Sequence, residues 1–287
     1  DSYRAGDLDM TNYALPPEQF AKLQKELPGE VFTTRTLATY SYELNNKKAP
    51  FDNVNVRKAL NLSLDRNVIT DKVLGQGQTP TYVFTPTYIE EGHLIQQPAY
   101  SKEPMAQRNE EAIKLLEEAG YSKANPLKFS ILYNTNENHK KVAIAAASMW
   151  KANTKGLIDV KLENQEWKTY IDSRRAGRYD AARAGWNADY NQATTFGNYF
   201  LSNSSNNTAK YANPEYDKAI AESYVATDAE GRAKAYAKAE EILAKDYGIV
   251  PIFNYVNPRL VKPYVKGYSG KDPQDHIYLR NLYIIKH

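Results

Sequence analysis

The chain contains no cysteine, and only 3 methionines, 3 tryptophans and 4 histidines in 287 residues. Without cysteine there are no disulfides, thiol nucleophiles or thiolate metal sites, although this does not identify a compartment. The histidines, His93, His139, His276 and His287, do not share a ligand spacing on any predicted element, so no metal site is expected. No apolar run approaches the ~20 residues needed to span a bilayer. Neither charge sign dominates: 37 Lys and Arg against 34 Asp and Glu leave a formal +3, too weak to argue for nucleic acid. Gly75-Gln76-Gly77 lacks the third glycine and the preceding strand of a dinucleotide fingerprint, so no cofactor is expected. No G-x-S-x-G elbow is present, and covalent hydrolase chemistry has no visible seat. A spatial carboxylate pair, as in a glycosidase, is not readable from sequence.

What is present is an ordinary globular mixture, 42% hydrophobic and 25% charged, with material for about two domains by length. Tyrosine is abundant, 23 residues against 8 Phe. An apolar ring with a polar tip suits half-buried strand faces and ligand clefts alike, and composition alone leaves both uses open. The opening Asp1-Ser2-Tyr3-Arg4 is neither a leader peptide nor a tag.

Periodicity predicts a helix around Pro17–Leu27, a β-rich stretch over Glu30–Tyr42 and two helices over Val54–Leu74 that meet at Asp65. A Pro- and Thr-rich loop, Gln78–Pro104, precedes a helix over Gln107–Ala119. Then come a strand (Leu127–Tyr133), a helix (Lys140–Lys151), a strand (Ile158–Leu162), a short helix at Trp167–Ile171 and a strand at Tyr179–Trp186. This β-α-β-α-β order predicts a helix-covered sheet with crossovers too long for hairpins. After the polar linker Ser202–Thr208, helices are expected at about Asn213–Val225 and Ala229–Lys245. β-like stretches follow at Gly248–Val256, Leu260–Val265 and Ile277–Ile285. The class is α/β with mixed sheets.

One constellation carries candidate chemistry. In Asp180–Tyr190 a strand leaves its sheet into a loop bearing Arg183, Gly185, Trp186 and Asp189. Ligands gather at such strand ends in α/β lobes. A small residue lets an extended peptide approach the Gly185–Asn187 main chain, with Asp189 taking an ammonium and Arg183 a carboxylate. An ordinary intramolecular ion pair near a strand end explains the same residues.

This segment, with Leu162–Lys168 (LENQEWK) and Arg259-Leu260-Val261-Lys262-Pro263, resembles the bacterial oligopeptide-binding proteins of peptide ABC importers. Ala5-Gly6-Asp7-Leu8-Asp9, Ala49-Pro50-Phe51, Val56-Arg57, Ala59-Leu60 and Leu64-Asp65-Arg66 follow the same pattern, so the resemblance covers essentially the whole chain. It implies a type II periplasmic substrate-binding fold rather than an enzyme, with peptide enclosed between two lobes. Family members are longer, which maps this chain onto their C-terminal part, as a fragment. On that mapping 1–37 is part of lobe I, 38–256 is the peptide-binding lobe III, and 257–287 returns to lobe I.

The resemblance also implies roles. Asp189 takes the peptide α-ammonium; Gly185, Trp186 and Asn187 pair with its backbone; Arg183 and Arg174 neutralise carboxylates. Trp167, Trp186, Glu43, His139 and Tyr255 line the side-chain pockets. The implied partners are a short peptide and an inner-membrane ABC permease, in the periplasm. A fragment of this kind is expected to expose a sheet edge and self-associate through it. Enteric relatives carry cysteines where this chain has Ala38 and Asn187, and a lysine near Leu74. Within the family the pattern looks most like the members that take the murein tripeptide L-Ala-γ-D-Glu-meso-diaminopimelate. Extra arginines (Arg174, Arg175, Arg178) would suit its three carboxylates, while Arg175 and Arg178 also read as solvated helix-end charges. The competing reading from the residues is a carbohydrate-binding or carbohydrate-active protein, suggested by Tyr, Trp and scattered carboxylates. A third is an isolated lobe acting as an interaction module.

Overall fold

The computed structural model describes residues 1–12 and 15–287. Short helix α1 (Ser2–Ala5) and helix α2 (Pro17–Glu26) lead into the 14-residue strand β1 (Val31–Leu44). Proline at the first position of α2 presets its φ where no donor is needed. Helix α3 (Val54–Leu62) starts at Asn53, whose side chain accepts the Asn55 N–H, and a π-helical segment (Val68–Leu74) stops at Gly75 with φ 64°. Strand β2 (Thr79–Pro80), helix α4 (Met105–Glu118), strand β3 (Leu127–Asn134) and helix α5 (Glu137–Asn153) follow. They are succeeded by β4 (Ile158–Gln165), α6 (Trp167–Arg175) and β5 (Ala181–Asn187). Beyond the short helix α7 (Thr194–Gly197) come α8 (Pro214–Val225), α9 (Ala229–Lys245), β6 (Ile249–Leu260), β7 (Val265–Lys266) and β8 (Tyr283–Ile284).

Six strands form one mixed sheet in the order β2-β6-β1-β5-β3-β4, and β7-β8 form a second. β3 is parallel to β4 and β5, whereas β1 runs antiparallel to β5 and β6. The α/β expectation holds, as do the long crossovers between the parallel strands. Several boundaries shift, and the β-like stretches expected at Leu260–Val265 and Ile277–Ile285 reduce to the two-residue strands β7 and β8. Helix α5 begins at Glu137 because Asn136 accepts the N–H groups of Asn138 and His139. Strand β6 runs on through Pro258 to Leu260, since β1 supplies partners from Val31 to Arg35 for Val256–Leu260 beyond the register shift.

Alternation along β1 separates two cores. Tyr40, Tyr42 and Leu44 join Phe51, Leu60, Phe129, Ile131 and Trp150 on one face. Leu37 joins Phe84, Phe196, Phe200, Tyr211 and Leu243 on the other. A smaller cluster of Tyr3, Leu15, Phe20, Leu23 and Leu260 packs around α2. The β1–β6 register slips between Arg35 and Thr39, a bulge that separates this small cluster's end of the strands from the main sheet.

Candidate functional site

β5 has unequal neighbours. It pairs with β1 from Ala181 through Asn187, but with β3 only at Ile131↔Ala181 and Leu132↔Ala182. From Arg183 onward no strand among the described residues flanks that side of it. The direction of its backbone groups follows from two bonds. The Ala188 N–H donates to the Leu37 carbonyl across β1, and the Arg183 carbonyl accepts from the Tyr170 hydroxyl on the opposite side. Backbone groups alternate along a strand, so those of Gly185 and Asn187 point out of the open edge. An unpaired edge beside a strand divergence is where α/β folds take ligands.

A cavity of about 590 Å³ lies against this edge. Trp167, Arg183, Gly185, Asn187 and Tyr255 line it, five of the expected site residues, together with Thr36, Leu37, Asn257 and Asp275. Side chains at 183, 185 and 187 share one face of β5. Gly185 is required there: a Cβ would stand 2.6 Å from Arg183 Nη2 and 2.8 Å from Tyr255 Oη. Trp167, 58% exposed at the start of α6, offers its ring to the opening, 5.7 Å from that of Tyr170.

Arg183 is held by neutral groups. Nη2 donates to Tyr255 Oη at 2.5 Å, Nη1 to Asn134 Oδ1 at 3.3 Å, and Cζ lies 5.1 Å from the Tyr40 ring centre. Its Nε is buried without a partner. Among the described residues no carboxylate lies within ion-pair distance of it. Asp189, just past the lining, is exposed; its N–H donates to Thr195 Oγ1, and its carboxylate pairs with no cation among the described residues. The intramolecular ion pair that competed with the binding reading is therefore not formed. His139 stands behind the lining, its Nδ1 3.2 Å from Tyr40 Oη. Burial and the Arg183 guanidinium push its pKa down to about 3, so at neutral pH the imidazole adds no charge.

The side chains of three residues expected at the site, the pocket residues Glu43 and Trp186 and the carboxylate-binding Arg174, do not line this cavity. Glu43 (1% exposed) and Arg174 (8% exposed) form a buried pair at 3.1 Å. Tyr199 and Thr208 hydroxyls donate to Glu43, and Arg174 Nη2 donates back to both. β1 alternation sends Glu43 to the face opposite Tyr40 and Tyr42, and a carboxylate buried there needs a cation. Trp186 likewise points away from the 183-185-187 face. It packs edge-on against Tyr199, with Nε1 donating to the Thr195 carbonyl at 2.9 Å. Its backbone, not its indole, belongs to the edge. Residues not singled out from sequence are Thr36, Leu37, Asn257 and Asp275, brought in by the β1 bulge and the loop before β8. Asp275 is already engaged by Asn257 and Arg259, and no local motif announces any of them.

A second groove, about 790 Å³, is lined by α4, α9 and the Gln96–Tyr100 loop. Its charges are largely matched internally, as in Lys58–Glu111 and Lys245–Glu241, and it offers no strand edge. The open edge is the better candidate.

The chain is 96% identical over 285 residues to the periplasmic oligopeptide-binding protein OppA of Haemophilus influenzae, covering 99% of this chain and 53% of that protein. It is 44% identical to the periplasmic murein peptide-binding protein MppA of Escherichia coli, over 99% of this chain and 52% of that protein. The crystal structure of Haemophilus influenzae OppA in complex with RPPGFSPFR superposes with TM-score 0.91 at 95% identity, covering 99% of this chain and 56% of that one. The Escherichia coli murein tripeptide-binding protein superposes with TM-score 0.89 at 43% identity, covering 100% and 55%. The chain thus spans about half the length of the curated relatives it matches. The family model for bacterial extracellular solute-binding proteins, family 5 (middle part), matches residues 1–208. The chain belongs to that family, which is one of binding proteins and not of enzymes.

Proposed function

We propose that this chain supplies the peptide-pairing part of a periplasmic receptor that captures short peptides for an inner-membrane ABC permease. One observation carries the reading: an open strand edge with an uncompensated guanidinium near its start and an uncompensated carboxylate past its end. A zwitterionic peptide matches that order. Its ammonium would meet Asp189, its backbone would pair with Gly185 and Asn187, and its carboxylate would meet Arg183, so it runs antiparallel to β5. The relatives named as periplasmic oligopeptide-binding proteins support the same class. On this reading residues 38–256 form the ligand lobe, with 1–37 and 257–287 belonging to a second unit. Closure of the two would present the loaded form to the permease.

Short peptides in general suit the site better than the murein tripeptide. Of the arginines available for three carboxylates, Arg174 is committed to Glu43, and Arg175 and Arg178 are exposed. That leaves Arg183 alone, and identity is higher to the oligopeptide-binding relative than to the murein peptide-binding one. Tighter calorimetric binding of the murein tripeptide than of trialanine would reverse this preference.

The anchor is tested by calorimetry on the chain extended to its relatives' full length. Asp189→Ala is expected to weaken free-amine tripeptides by about tenfold or more, the scale of one hydrogen-bonded charge, while leaving N-acetylated ones unchanged. Unchanged affinity for the free amines would sink the assignment.

A further inference from the structure

The open edge of β5 is closed at one end by a side chain that the peptide reading does not use. Tyr170, fully buried on α6, directs its hydroxyl at the Arg183 carbonyl. That carbonyl is the next outward acceptor after Gly185 and Asn187, and the place where a continuing β3 ladder or a longer ligand would bond. The ring is clamped by Leu132, Tyr179 and Ala182, with Ile171 packed alongside. The Arg174 guanidinium lies 5.5 Å from its centre. Trp167, one turn earlier on the same helix, lines the cavity. One helix therefore presents a ring to the ligand space and a phenol to the end of the edge.

We propose that Tyr170 is a register stop, a specificity-determining residue that limits backbone pairing to the first three residues of the ligand. This rests on the peptide reading above. A ligand running antiparallel, with its ammonium at Asp189, pairs its first residue with Asn187 and its third with Gly185. The fifth would fall opposite Arg183, whose carbonyl already accepts from the buried Tyr170 hydroxyl, so a ligand N–H would have to fit beside the phenol at that oxygen or break the buried bond. Arg183's side chain, bound to Asn134 and Tyr255, fills the space beside it. Residues of the ligand beyond the third are therefore held by contacts other than the β5 ladder, which lets one receptor accept longer peptides without reading their backbone.

The test uses alanine-based hexapeptides with single N-methyl substitutions, titrated by calorimetry against the chain extended to its relatives' full length. In wild type, methylation at the third residue is expected to cost about tenfold and methylation at the fifth less than about twofold, the difference between one ladder bond and none. In Tyr170→Phe, which keeps the buried ring but frees the Arg183 carbonyl, methylation at the fifth residue is expected to cost about threefold or more. A fifth-residue cost equal to the third in wild type overturns the stop without any variant. So does an unchanged fifth-residue tolerance in Tyr170→Phe. Indifference to methylation at the third residue overturns the pairing with Gly185 itself, and the stop with it.

Discussion

Gly185 shows how one missing side chain can shape a candidate site. Arg183 and Tyr255 use the space its Cβ would fill. Because the clash is with two side-chain ends, the Arg183 guanidinium and the Tyr255 hydroxyl, rather than with backbone, Gly185→Ala is expected to cost peptide affinity about tenfold by displacing them. Thermal melting should show little change in stability. His139 gives the pH dependence. Its native pKa, about 3, lies below the usual histidine value of 6.5. Between those values the unfolded chain binds a proton that the native state refuses, so stability present above pH 6.5 is lost as pH falls toward 3. His139→Gln should remove that slope, a difference of about 2 kcal/mol by pH 4.5 once partial solvent access is discounted. Urea unfolding at pH 7 and pH 4.5 measures it. Equal slopes in both proteins would contradict the neutral imidazole. The segment around Asp189 and Arg183 was legible in sequence because its residues are adjacent in the chain. Glu43 and Arg174 pair with each other rather than lining this cavity, and partnership between residues so far apart in sequence leaves no local trace.

At the scale of elements, the pairing that removes Glu43 and Arg174 from the cleft makes β1, α6 and the Thr208 segment interdependent. Glu43→Ala would leave a buried guanidinium among Tyr199, Thr208 and Tyr170, and should destabilise the chain by about 3–5 kcal/mol. Chemical denaturation reads this directly, and a loss below about 1 kcal/mol would mean that water reaches the pair. Helices and strands themselves were read well from periodicity, including β3, α5, β4 and the two helices before β6. That signal is local, because each element shows a single buried face to its core. The Val68–Leu74 segment has helical periodicity but π-type bonding, and β6 continues past its apolar run. Both depend on what packs beside them. Ala38 and Asn187, the two positions at which the family resemblance implies cysteines in enteric members, are directly opposed across β1 and β5. Two distant sequence departures thus become one cross-strand pair.

For the whole molecule, the cavity beside β5 is open on one side, and a ligand lying there is only partly enclosed. The chain by itself is expected to bind peptides weakly, since the ordering cost of binding is met by fewer contacts. Submicromolar binding measured on the 287-residue chain would show that the described surface suffices. The β7–β8 pair exposes Tyr283 and Ile284, with Leu279 (78% exposed) in the turn before β8, beside a short strand edge. Concentration-dependent association is expected in sedimentation velocity, and Ile284→Lys should abolish it by placing charge on that edge. A monomer at all concentrations would refute this.

Composition and periodicity by themselves determined the α/β class and most element positions, and they singled out the strand-end segment as the candidate site. These are properties of neighbouring residues and of repeat lengths, so a linear string contains them. Only the tertiary structure decided which side of β5 stays unpaired, that Arg183 lacks a counter-ion while Arg174 has one, and that Tyr170 closes the edge. Each of these depends on which distant strand or side chain lies alongside, and on how burial makes an unpaired charge or carbonyl costly there.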